Sequence, residues 1–182
     1  MKKSLYLLLF ALLSTTIYAQ EIAEFAKNLD VAYTCLPNEA PDDLRSAFLG
    51  DEIKAKHGMY KLKSKALYKN IYNQDSYLRY FISYYLFNDT TGCNKAEENF
   101  FSKERFDGLR YKVDGPVKTP PLVMIFNSKS IYCLYGRSET ELEHWDYLKK
   151  SFIKQYAEDN ATLMIAKSGS VRWETYSLTP RQ

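Results

Sequence analysis

Two sets of residues in this sequence have the types that could do chemistry. Asp42, Glu52 and Lys54 bring two carboxylates and a lysine into a short stretch. Such groups can hold a divalent cation and serve an activated water in metal-dependent hydrolysis. Cys133 and His144 form the second set, since a thiol beside an imidazole can become a nucleophilic thiolate. A third feature points to binding. Residues 59–87 hold Tyr60, Tyr68, Tyr72, Tyr77, Tyr80, Tyr84 and Tyr85, and tyrosine supplies rigid, amphipathic contact area.

The elements that must carry these groups favour the third feature. Pro41-Asp42 followed by Glu52-Ile53-Lys54 is similar to the PD-(D/E)xK signature of metal nucleases, whose residues sit on a strand hairpin. Here Leu44, Ala47 and Phe48 have helical spacing up to Gly50, and Asp51 can cap a further turn to Lys56, ended by His57-Gly58. The acidic residues therefore read as solvated helix caps. Cys133 alternates with Ile131 and Tyr135 on an expected strand, which makes it a small core residue. His144 stands beside Trp145 early in an expected helix. A zinc site would have to draw on two histidines and three cysteines, a poor set if those cysteines are oxidised. No Gly-rich phosphate loop, nucleophile elbow, H-E-x-x-H or EF-hand loop is present. No catalytic residue, metal or cofactor is assigned.

The clearest element is a helix from Ser138 to Asn160. Ser138 and Glu141 make a capping box, and Leu142, Trp145, Leu148, Phe152 and Tyr156 line one face. Strand-like runs flank it: Leu122 to Phe126 and Ile131 to Tyr135 before, Thr162 to Ala166 and Val171 to Tyr176 after. Leu109, Tyr111 and Val113 also alternate as in a strand. Near the start, Ile22, Phe25, Ala26, Leu29 and Tyr33 have helical spacing. Asn94 with Glu97 opens a helix carrying Ala96, Phe100 and Phe101. Residues 59–87 fit both periods. Leu78, Tyr80, Ile82, Tyr84 and Leu86 alternate, while Leu78, Ile82, Tyr85 and Leu86 suit a helix capped by Asp75 or Ser76, and helix is taken. The fold class expected is α+β, with an antiparallel sheet built mainly from the C-terminal half and helices packed on it.

Residues 1–19 begin with Lys2 and Lys3, continue through the apolar run Leu5 to Leu13 and end on Ala19. That is the arrangement of a secretory signal peptide, too short to span a bilayer. Residues 20–182 then form one domain, periplasmic or extracellular, with no transmembrane segment. Without Lys2 and Lys3 the 25 basic residues become 23 against 22 acidic ones, a formal charge of +1. So balanced a chain has no net field to gather nucleic acid.

An oxidising destination would pair two of Cys35, Cys93 and Cys133. Cys35 lies beside Leu36-Pro37 and Cys93 in Thr91-Gly92-Cys93-Asn94, both loop-like, so the expected disulfide is Cys35–Cys93. The function expected is that of an exported, non-enzymatic binding protein, such as a toxin-neutralising immunity protein or an envelope inhibitor. Its partner is another protein, met by an aromatic face of Tyr77, Tyr80 and Tyr84, which would project from a helix opposite its buried stripe. The alternative is a small secreted hydrolase using Cys133 with His144, or Asp42, Glu52 and Lys54.

Overall fold

A computed structural model describes residues 20–38, 43–50, 53–70, 72–102, 120–136, 142–167 and 170–178. Among them are α1 (residues 20–27), β1 (Tyr33–Pro37), α2 (Asp43–Leu49), β2 (Lys56–Lys69) and β3 (Asp75–Leu86). Then come α3 (Thr90–Ser102), β4 (Leu122–Phe126), β5 (Ser130–Gly136), α4 (Leu142–Tyr156), β6 (Thr162–Lys167) and β7 (Ser170–Thr175). The fold is mixed α+β around one seven-stranded sheet in the order β1-β2-β3-β5-β4-β6-β7, with every neighbouring pair antiparallel. Three of its strands come from the N-terminal half. The nuclease-like Asp42 and Glu52, the Leu109–Val113 strand, the Ser138–Glu141 capping box and the signal segment lie outside the described residues.

The central strand β4, LVMIF, is apolar and buried throughout because both faces of the sheet are covered there. In β4, Val123 and Ile125 point to the first face and Leu122, Met124 and Phe126 to the second. On the first face Ile22, Phe25 and Ala26 of α1 join Trp145, Leu148, Phe152 and Tyr156 of α4 in a core with Leu62, Tyr80, Ile82 and Tyr84. The helical stripe read from Trp145 to Tyr156 is the buried one. On the second face Ala47 and Phe48 of α2 and Cys93, Ala96, Phe100 and Phe101 of α3 share a core with Tyr85, Met124, Ile131 and Cys133. Phe48 stacks on Phe100, ring centroids 4.6 Å apart. Gly50, at φ 54°, ends α2 as a left-handed glycine commonly does.

Four expectations are corrected here. Residues 59–87 form the β2–β3 hairpin and not a helix, because the aromatic alternation finds cross-strand partners on both sides, Tyr80↔Leu62 and Phe81↔Tyr135 among them. The turn is built by Asn70, whose side-chain carbonyl accepts from the N–H groups of Tyr72 (2.9 Å) and Gln74 (3.0 Å), with Asn73 at φ 59°. Lys56 opens β2 instead of closing a helical turn. The helix expected to open at Asn94 begins at Thr90, because the Asp89 carboxylate accepts from Gly92 N–H at 2.8 Å, satisfying an orphan donor of the first turn. That capping puts Cys93 on a helix rather than in a loop.

The fourth correction is the disulfide. None of the three cysteines is bridged, and Cys35–Cys93 is not formed. Cys35 packs against the first-face core from β1, whereas Cys93 and Cys133 belong to the second-face core. The sheet itself separates Cys35 from the other two.

Candidate functional site

Cys133 and His144 do not share a site, and the Asp42, Glu52 and Lys54 set lies partly outside the described residues. Cys133 is in the second-face core, while the His144 ring lies edge-on to Tyr68, 4.7 Å away, on the first face. Burial pushes the Cys93 thiol up to about 11, with Glu97 and Glu158 adding to the shift, and burial raises Cys35 as well. Both changes disfavour the thiolate that chemistry would need. Among the described residues no cluster of His, Cys, Asp and Glu is placed to hold a metal ion. Lys54 borders a cleft of about 330 Å³ at the start of α3, with Asp89, Gly92 and Lys95 among its lining residues. The carboxylate there is occupied as the cap of α3.

The aromatic triad is divided by the strand. Tyr80 and Tyr84 are 0% and 3% exposed in the first-face core, and Tyr77, 37% exposed, points the other way. A helix would have put all three on one outer face; the twofold period of a strand sends residue 77 to the side opposite residues 80 and 84. Tyr80 stacks at 6.2 Å on Trp145, and Tyr84 at 6.3 Å on Tyr60. These rings are core, so the three-tyrosine binding face is withdrawn and only Tyr77 remains.

Tyr77 belongs to a different surface. Beyond Ser64 in β2 and Tyr80 in β3 the hairpin runs past the ends of β1 and β5 as a two-stranded arm. A bulge between Lys63 and Leu67 re-aims it. The buried Ser64 hydroxyl holds that bulge, donating to the Ala66 carbonyl (2.7 Å) and accepting from Leu78 N–H (2.9 Å). On the second face, to the side of the part that α2 and α3 cover, the arm and its base carry register partners Leu67↔Tyr77, Lys63↔Arg79 and Lys61↔Phe81. Leu36 of β1 lies opposite Lys61, and Tyr135 of β5 stacks on Phe81 at 5.2 Å. Direct partners share a face, so these side chains make one continuous surface. Leu36 and Leu67 are 60% and 54% exposed on it.

Cations predominate on this surface: at its tip Lys69 is paired with Asp75 at 2.9 Å, while Lys61, Lys63 and Arg79 lie nearer the base. Lys63 and Arg79 stand directly opposite each other, an arrangement that costs stability in a sheet. The Lys63 ammonium turns to the Tyr77 ring, 3.9 Å from its centroid, a favourable cation–π contact. Arg79 Nε is buried and has no hydrogen-bond partner among the described residues. None of Lys61, Lys63 and Arg79 takes part in an ion pair among those residues. Sequence reasoning missed this surface because Lys61, Lys63 and Arg79 fall on one side only when residues 56–86 are strands. The alternation of Lys61, Lys63 and Lys65 with Leu62 and Ser64 was the available signal.

The chain matches no protein-family model, no curated protein and no solved structure.

Proposed function

We propose that this chain is an exported, non-enzymatic binding protein that captures another protein on the open second-face surface of β1, β2 and β3. A toxin-neutralising immunity protein or an envelope inhibitor would act this way. The observation that carries the reading is the exposed Leu67–Tyr77 cross-strand pair on an arm that outruns its neighbouring strands. Exposed apolar groups rimmed by charge are the usual composition of a contact surface. The basic head, apolar run and Ala19 of the first nineteen residues support export. Among the described residues no helix is long and apolar enough to cross a membrane.

Two measurements test this. Fractionation of cells expressing the whole chain should recover it outside the cytoplasm, shortened by a mass corresponding to residues 1–19. Capture from the envelope of the producing cell, or of a competitor, should then be compared between the wild type and a Leu67→Ser/Tyr77→Ser variant. Both side chains are exposed, so the variant should fold with a loss of about 1 kcal/mol or less from the lost pair. Specific partners should drop out of the variant's capture. Recovery of the same proteins at the same yield by both baits would refute the assignment of this surface.

A further inference from the structure

Resting on that surface assignment, we infer that the partner docks through an acidic segment, whose carboxylates Lys61, Lys63 and Arg79 receive between the exposed leucines. The Lys63–Arg79 opposition is a standing repulsion in the unbound protein. A carboxylate seated between the two cations converts that repulsion into two attractions. Arg79 is the anchor: its side chain is half-buried, it takes part in no ion pair among the described residues, and the two terminal nitrogens of a guanidinium match a carboxylate in two parallel hydrogen bonds. Lys61, two residues from Lys63 on the same face, offers a second position for an anionic group.

The surroundings decide between kinds of polyanion. Leu36 and Leu67, at 60% and 54% exposure, border the cations. Aliphatic contacts of that kind suit the side chains between acidic residues of a peptide and have no counterpart on a phosphodiester backbone. A nucleic-acid surface would in addition draw on a wide basic field, and here the acidic residues nearly balance the basic ones once the first nineteen residues are set aside.

The test uses protein purified from cells expressing the whole chain and three probes: a twelve-residue peptide alternating Glu and Leu, the same peptide with Lys for Glu, and a twelve-nucleotide oligo-dT. Titration followed by amide NMR should show the Glu-Leu peptide shifting Lys63, Tyr77 and Arg79. Its affinity should fall steeply between about 0.05 and 0.5 M NaCl, as the screening length shrinks. Arg79→Gln and Lys63→Gln should each weaken it roughly tenfold, the scale of one charge-assisted hydrogen bond. Equal binding of the Glu and Lys peptides, or tighter binding of oligo-dT, would overturn the inference. So would a fall of several degrees in the melting temperature of Arg79→Gln, since the guanidinium would then be paired within the chain already. If partner capture is lost in Leu67→Ser/Tyr77→Ser but indifferent to salt and to Arg79→Gln, the surface stands and its acidic preference falls. If neither set of variants affects capture, the surface itself is wrong.

Discussion

Adding one methyl group at Gly58 should destabilise the protein, against the usual effect of such a change in a strand. Gly58 lies outside the left-handed region, so alanine is conformationally admissible there. By reducing the freedom of the unfolded chain, alanine alone would stabilise by about 0.4–1 kcal/mol. The packing reverses the sign. A Cβ on residue 58 would lie 2.9 Å from both Cε1 and Oη of Tyr84 and 3.0 Å from its Cζ. Tyr84 cannot swing aside cheaply, since it is 3% exposed and held between the Tyr60 ring (6.3 Å) and the Tyr132 ring (6.5 Å). Overpacking of this kind costs about 1–3 kcal/mol. The balance is a loss of about 1 kcal/mol and at most about 2.5, or roughly 2–4 °C in melting temperature per kcal/mol for a domain of this size. Thermal and urea melts of Gly58→Ala by near-ultraviolet circular dichroism measure it directly. The same substitution in a Tyr84→Leu background, where the ring is gone, should be neutral or stabilising, so the two changes couple. A Gly58→Ala protein that melts above the wild type would show that the ring does not pin this position.

Other expectations follow from the buried groups. Trp145, fully buried, should cost about 3–5 kcal/mol on change to Ala. Trp145→Phe should cost much less, because it also removes an indole N–H that is buried without a partner among the described residues; equal losses in the two variants would contradict this. Ser64→Ala should lose about 2 kcal/mol or more by leaving the Leu78 N–H and Ala66 carbonyl without their hydroxyl partner, with amide exchange accelerated at Leu78. Thiol titration in denaturant should find all three cysteines reactive without reductant, and a single reactive thiol would restore the disulfide. The Cys93 thiol, raised from 9.0 to about 11 by burial, keeps its proton in the folded chain after the unfolded chain has lost it. Its contribution to stability is therefore complete below about pH 9 and declines as pH rises through 11; urea midpoints of wild type and Cys93→Ala should converge across that window.

Local periodicity determined much of the architecture before any contact was known. The Trp145–Tyr156 stripe, the apolar run of β4 and the strands on both sides of α4 follow from spacing alone, because burial imposes a period of 3.6 on a helix and 2 on a strand. Gly50 at the end of α2 was legible for a related reason, since few other residues adopt its backbone angles. The Met59–Phe87 stretch was not decidable in this way. Its apolar residues satisfy both periods, and the tie was broken by β1 and β5, which lie far away in the chain and pair with Lys61 to Ser64 and with Phe81. The side of the sheet to which Cys35, Cys93, Cys133 and His144 belong also waited on register and on helix placement. So did the gathering of Lys61, Lys63, Tyr77 and Arg79 on one surface. Those pairings are long-range, and a one-residue change of register or a helix in place of the hairpin would send the same side chains to the opposite face.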